Sequence, residues 1–163
     1  MIEFRKIIPS DNKTIKDIIK NTMREFKADP QTTILGDPTV NTMYENFQNE
    51  RAVYYIAEEN GKILGGAGVN QLDGTTENIC ELQRMFLLPE ARGKGIGNKL
   101  MEMSLEAAKN FGYEKIYLET LAEMHEARKL YLKSGFAFID KPLGSTGHSG
   151  CNTWMVLELK IQN

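Results

Sequence analysis

CELQRMFLLPEARGKGIG, residues 80–97, passes from a strand to a helix through a glycine-rich turn. The apolar run Ile79–Leu88 reads as a strand stopped by Pro89. Beyond the turn, Ile96, Leu100, Met103, Ala107 and Phe111 step by four, three, four and four, the spacing of an amphipathic helix, and Gly112 ends it. Between the two lies Arg92-Gly93-Lys94-Gly95-Ile96-Gly97, with Asn98 behind it. A helix N-terminus presents unpaired amides and the positive end of a dipole, and glycines let backbone approach an anion closely. Arg92 and Lys94 add charge. This pattern reads as a phosphate or pyrophosphate cradle, although a glycine pair before a helix is also what an ordinary tight turn looks like. It is not a P-loop, because G-x-x-x-x-G-K-[ST] is absent, and it is not the dinucleotide fingerprint, because Asn98 stands where the third glycine would be.

Outward from this stretch the elements alternate. Lys115–Glu119 reads as a strand, so strand 79–88, its helix and this strand form a βαβ unit whose strands should run parallel. Upstream, Ala52–Glu58 and Ile63–Leu72 flank an Asn60-Gly61 hairpin turn, and Asp73-Gly74 leads into strand 79–88, giving an antiparallel meander. Gly65, Gly66 and Gly68 mark close backbone approach within it. Ile2–Ile7 is a first strand. Ser10 or Asp11 is placed to cap a helix carrying Ile15, Ile18, Ile19, Thr22, Met23 and Phe26, which ends at Asp29-Pro30. Residues 30–39 are irregular, and a short helix is expected over 40–49. A helix over 124–134, closed by Gly135, precedes strands Phe136–Ile139 and Thr153–Lys160, which are separated by a polar, flexible loop at 144–152. The fold class is α/β, with a mixed, mostly antiparallel central sheet and flanking helices, in one domain over residues 1–163.

Composition narrows the function. Net charge is −2 with no concentrated basic footprint, which argues against nucleic acid as a partner. No apolar run approaches the roughly 20 residues of a membrane span, and the first residues carry no apolar leader. A cytoplasmic protein is expected. Cys80 and Cys151 read as free thiols of a reducing compartment.

Two blocks together resemble the GCN5-related N-acetyltransferase (GNAT) family. Arg92, Gly95 and Gly97 fit that family's Q/R-x-x-G-x-G/A pyrophosphate loop, and Ala127, Tyr131, Gly135 and Phe136 fit its A-x-x-x-Y-x-x-x-G-F block. The resemblance implies acetyl-CoA as co-substrate, an amine acceptor and no metal. The amides of Gly93, Lys94, Gly95, Ile96, Gly97 and Asn98, with Arg92, are expected at the pyrophosphate. The backbone of Met85, Phe86 and Leu87 is expected along the pantetheine arm, where two parallel strands splay apart. A bulge near 83–85 would relieve the awkward place of Arg84 among Leu82, Phe86 and Leu88.

Transfer needs a base for the amine, donors for the oxyanion and a proton for the leaving thiolate. Glu81, in the middle of an apolar strand, is the candidate base, with a structural ion pair or an acceptor contact as the alternative. Tyr131 stands where the family places its acid; packing in the core is its alternative. Acceptor contacts are expected from Glu25, Tyr44 and His148. His148 and Cys151 have no second ligand pair for a zinc site. One departure from the family is Met124, where many members carry Asn seven residues before the Tyr. It mildly favours a rival reading, a catalytically weak acyl-CoA sensor. A homodimer is compatible with the resemblance, though no residue points to an interface.

Overall fold

A computed structural model describes residues 1–160. The expectation of one domain over 1–163 takes in residues 161–163, which lie outside the described residues. Seven strands form one sheet: β1 (Ile2–Lys6), β2 (Val53–Glu59), β3 (Lys62–Gln71), β4 (Ile79–Leu87), β5 (Lys115–Thr120), β6 (Ala137–Ile139) and β7 (Thr153–Glu158). Their order is β1-β2-β3-β4-β5-β7-β6. All neighbours are antiparallel except β4 and β5, which run parallel, as a βαβ unit requires.

Helices α1 (Asn12–Glu25) and α2 (Met43–Asn46) cover one face of the sheet, where Ile15, Ile19, Met23 and Met43 pack with Tyr54 and Ile56. Helices α3 (Ile96–Asn110) and α4 (His125–Lys133) cover the other, where Met101, Ala108 and Tyr131 pack with Val69, Cys80, Leu82 and Ile116. No helix among the described residues is long and apolar enough to cross a membrane.

Two local expectations are corrected. Asp11 does not cap α1 with its side chain. Its carboxylate accepts from the Ile8 amide at 2.8 Å and from the Arg5 guanidinium at 2.8 and 3.0 Å, which ties the helix entry to β1 instead. The helix expected over 40–49 shrinks to Met43–Asn46, preceded by 3-10 turns at Ile34–Gly36 and Pro38–Thr42. Side chains divert its backbone groups. Asp37 accepts from the Thr39 amide at 2.9 Å, Asn46 Nδ2 donates to Thr39 O at 2.7 Å, and Asn12 Oδ1 accepts from the Tyr44 amide at 2.7 Å. Asn, Asp and Thr compete with helical bonding in this way.

Two features of β4 position the site. It pairs with β5 only at Ile79↔Lys115, Cys80↔Ile116 and Glu81↔Tyr117, after which the two strands part. On its other edge it stays with β3, but Gly68 faces Gln83 while Gly66 faces Phe86, so β4 spends three residues against two. The extra residue falls at Arg84, whose φ is +58°. That is the bulge expected near 83–85. Tyr54 braces it, its hydroxyl donating to Arg84 O at 2.7 Å, and Gly66 makes room for this ring: a Cβ there would sit 2.5 Å from Tyr54 Cε1. The bulge also reverses the facing of the strand. Cys80 and Leu82 enter the α3–α4 core before it; Met85 packs there after it, while Phe86 packs on the α1 side.

Candidate active site

A cavity of about 670 Å³ opens where β4 and β5 part. Its lining brings together Glu81, Met85, Phe86, Tyr131 and His148, which the sequence had picked out separately.

Glu81 is 9% exposed. Burial pushes its carboxyl up from the usual 4.5 to about 7; the negative charges of Glu119 and Asp73 push the same way, and the Gln83 hydrogen bond and the Arg84 charge pull back. Gln83 Nε2 donates to Oε1 at 2.7 Å, which fixes the rotamer. A carboxylate that titrates near neutrality is suited to take and release a proton at working pH. Cys80, one residue earlier, turns the opposite way into the core, and burial holds its thiol protonated.

Tyr131, in the last half of α4, is 6% exposed, and burial pushes its phenol up to about 12. It therefore keeps its proton at neutral pH. The ring packs on Phe136 at 6.1 Å. The hydroxyl is not among the sealed polar atoms that lack a partner, and in the cavity wall it is available to a ligand atom.

Beyond Glu81 the β5-side edge of β4 has no strand beside it. Leu88 N–H donates to Leu64 O at 2.8 Å, so by antiparallel alternation Phe86 turns its backbone polar groups to β3 and Leu87 turns its own outward. At the strand's end come Gly93 and Gly95, with φ of +77° and +80°. Lys99 N–H closes the first turn of α3 on Gly95 O at 3.1 Å. The amides of Ile96, Gly97 and Asn98 ahead of it have no acceptor inside the helix. An edge open to an extended chain, leading to exposed amides on a long helix's positive end, fits a molecule with a peptide-like arm and a diphosphate. Lys94 is exposed at the same turn.

Arg92 has a different engagement. Its Nη1 and Nη2 donate to both oxygens of Glu25, at 2.8 and 3.0 Å, and Nη2 also donates to Leu87 O at 3.2 Å. It ties the end of α1 to the end of β4. The Glu25 carboxylate is thus held by Arg92, below its usual range, and does not line the cavity. Tyr44 packs against the α1–α2 core and does not line it either. These two residues do not line the cavity: Glu25 follows Met23, which does face it, by two residues, about half a turn, and the helix points Glu25 the other way.

The 144–152 loop is not the free polar segment expected. Ser145 N–H donates to Asp73 O and Gly150 N–H to Thr32 O, each at 2.7 Å, while Asn152 Oδ1 accepts from the Ala122 amide at 2.9 Å. It is strapped over the cavity from three sides. His148 Nε2 lies 2.8 Å from Asp37 Oδ2, and Arg84 lies 3.7 Å from the same oxygen. Burial pushes the Asp37 carboxyl up, but the Thr39 and His148 hydrogen bonds and the Arg84 charge win and hold it below its usual range.

Glu119 was missed in the sequence, as was Arg84 as a site residue. Tyr117 donates to Glu119 Oε2 at 2.6 Å, and Thr146 donates to Oε1. A signal for Glu119 existed: Glu81 pairs with Tyr117, so residue 119 shares its face two places on. Asp37 and Arg84 meet across 47 positions of chain with no local pattern. Met124, at the position of the family departure, lines the cavity too.

Comparison with known proteins places this geometry. A model of the Acetyltransferase (GNAT) family matches residues 19–136. An uncharacterized N-acetyltransferase of Escherichia coli, YjgM, is 38% identical over 157 residues, covering 95% of this chain and 93% of its own. A GNAT-family acetyltransferase from Staphylococcus aureus superposes with a TM-score of 0.84 over 98% of this chain and 100% of its own, at 23% identity. A putative acetyltransferase from Salmonella typhimurium, yncA, solved with its cofactor acetyl-CoA, gives 0.79 over 99% of this chain and 95% of its own, at 19% identity.

Proposed function

The chain belongs to the acetyltransferase (GNAT) family and is an N-acetyltransferase of that type, and from this premise we propose that it moves an acetyl group from acetyl-CoA directly to a primary amine of a small molecule or peptide. The observation that carries the proposal is the meeting of Glu81 and Tyr131 in one cavity at the point where β4 leaves β5.

In this reading the outward edge of Met85–Leu87 and the amides of residues 93–98 hold the acyl-CoA, with the thioester at the gap. Glu81 takes the proton of the amine, directly or through a water. The amine nitrogen bonds to the acetyl carbon, and a β4 amide receives the developing oxyanion. The carbon–sulfur bond breaks, and Tyr131 gives its proton to the departing thiolate. Arg92 acts by fixing the cradle, through Leu87 O and Glu25. The two free cysteines support a cytoplasmic setting.

The test is thiol release from acetyl-CoA with a panel of alkylamines, amino acids and peptides. Glu81→Gln and Tyr131→Phe should each lower kcat by roughly 10²-fold or more, the scale of general acid–base help, while acetyl-CoA still binds. Wild type that binds acetyl-CoA yet acylates nothing in the panel would sink the reading, as would full activity in both variants.

A further inference from the structure

We infer that Glu119 is the anionic site that receives the acceptor's ammonium group, beside the carboxylate that removes its proton. The inference rests on the proposed reading of Glu81 as base.

The two carboxylates are placed by the sheet. Glu81 is the last residue of β4 in register with β5, opposite Tyr117, and Glu119 follows on the same face two places further along β5. Both line the cavity at the gap. They differ in how they are held. Glu119 accepts one hydroxyl on each oxygen, from fully buried Tyr117 and from Thr146 of the strap, and Tyr117's own hydroxyl accepts from the Leu143 amide at 3.2 Å. Hydroxyl donors on both oxygens fix the position and orientation of this carboxylate. Glu81 has one amide donor and is more deeply buried.

A fixed anion next to a carboxylate that titrates near neutrality is a division of labour. An aliphatic amine arrives protonated at neutral pH, because its pKa is near 10. It needs a counter-charge to enter a half-dry cavity and a separate acceptor for its proton. Glu119 meets the first need and Glu81 the second. One N–H bond breaks and its proton passes through a Glu81 oxygen to solvent, leaving the neutral amine beside Glu119, facing the thioester; as the nitrogen bonds to the acetyl carbon, its next proton goes to Glu81. The other charged or titratable groups around Glu81 do not take this place. Arg84 repels an ammonium, and Asp37 is engaged by Arg84, Thr39 and His148. Asp73 is exposed at the hairpin turn. Tyr117 and Cys151 are neutral, since burial raises both. Tyr131, buried in the same wall with its hydroxyl available to a ligand atom, completes a ligand-facing set rather than a bare acidic cluster.

Steady-state kinetics of Glu119→Gln with an alkylamine substrate tests this. The acceptor KM should rise about tenfold or more, the loss of one hydrogen bond to a charged group, with a smaller change in kcat and in the acetyl-CoA KM. The acid limb of kcat/KM should move to lower pH, because removing a like charge lowers the pKa of Glu81. Glu119→Asp should restore part of both effects, and Thr146→Val, which frees one oxygen of Glu119 without touching the sheet, should raise the acceptor KM by a smaller factor. An unchanged acceptor KM and pH limb in Glu119→Gln overturns the inference while leaving the transfer reading intact. Equal loss against acetyl-CoA and acceptor, with a lowered Tm, also overturns it, since that marks a brace. No turnover of any amine by wild type overturns both.

Discussion

The two halves of β4 do opposite things with the same strand. From Ile79 to Glu81 it is paired on both edges, and Cys80 and Leu82 drive into the α3–α4 core at 0% and 6% exposure. From Met85 to Leu87 it is paired on one edge only, and its residues are half-buried. Between them sits one extra residue, Arg84, with a left-handed backbone. The first half anchors and the second presents. A bulge lets one strand do both, because it reverses the facing of side chains and frees an edge without breaking the ladder to β3. The cost of holding Arg84 at φ +58° is offset locally: Tyr54 takes its carbonyl, and its guanidinium donates to Thr39 O at 3.3 Å and approaches Asp37.

The comparison can be broken most sharply in its anchoring half. Leu82→Ala, just past the last doubly paired residue, should destabilise by about 2–5 kcal/mol in denaturant titrations, because it empties space in the packed α3–α4 core. A loss under 1 kcal/mol would show that this half is not the anchor. On the other face of the same half, Glu81 is held above its unfolded pKa, from 4.5 to about 7. Its contribution to stability is therefore full below the ordinary carboxyl range and is lost as pH rises through about 7. Glu81→Gln should gain on the wild type by on the order of 3 kcal/mol between acid and alkaline pH, read as the pH dependence of Tm. A constant gap across that range would remove the raised pKa. At the hinge of the comparison, Arg84→Ala leaves Asp37 without its buried cation and should cost about 1–3 kcal/mol, together with a raised acceptor KM as the strap loosens. Kinetics with unchanged KM would separate the bulge from the strap. The smallest effect belongs to the presenting end. Glu25→Gln breaks a half-exposed ion pair and should change stability by only about 0–1 kcal/mol, with acetyl-CoA affinity as the more sensitive readout.

Much of the frame was legible because its signals are local. The period of Ile96, Leu100 and Ala107 marks α3, Asn60-Gly61 and Asp73-Gly74 mark the hairpin turns, and the βαβ connection implies the parallel pair. The bulge was legible for a subtler reason: alternation placed a charge at Arg84 among core residues, and a pattern that breaks within a strand calls for an extra residue. The helix expected over 40–49 was read too long because the backbone there is organised by side-chain oxygens, as at Asp37 and Asn12, whose partners follow from geometry and not from period. Glu25 was misplaced for the same kind of reason. Its chemistry suited an amine, but the direction of one helical turn gave it to Arg92.

The chain's own order of residues determined the strands, the helices, the glycine turn at Arg92–Gly97 and the two candidates Glu81 and Tyr131, because hydrophobic period, glycine conformation and residue chemistry act over a few neighbours. Only the tertiary structure decided which of these meet. The cavity joins residues 50 positions apart, Glu81 and Tyr131, and its strap joins Asp37 to His148 across 111. Such contacts arise from the parting of two strands and the docking of two loops. Their energy depends on burial and on the exact partner left for each polar atom, quantities that do not exist until the sheet has closed.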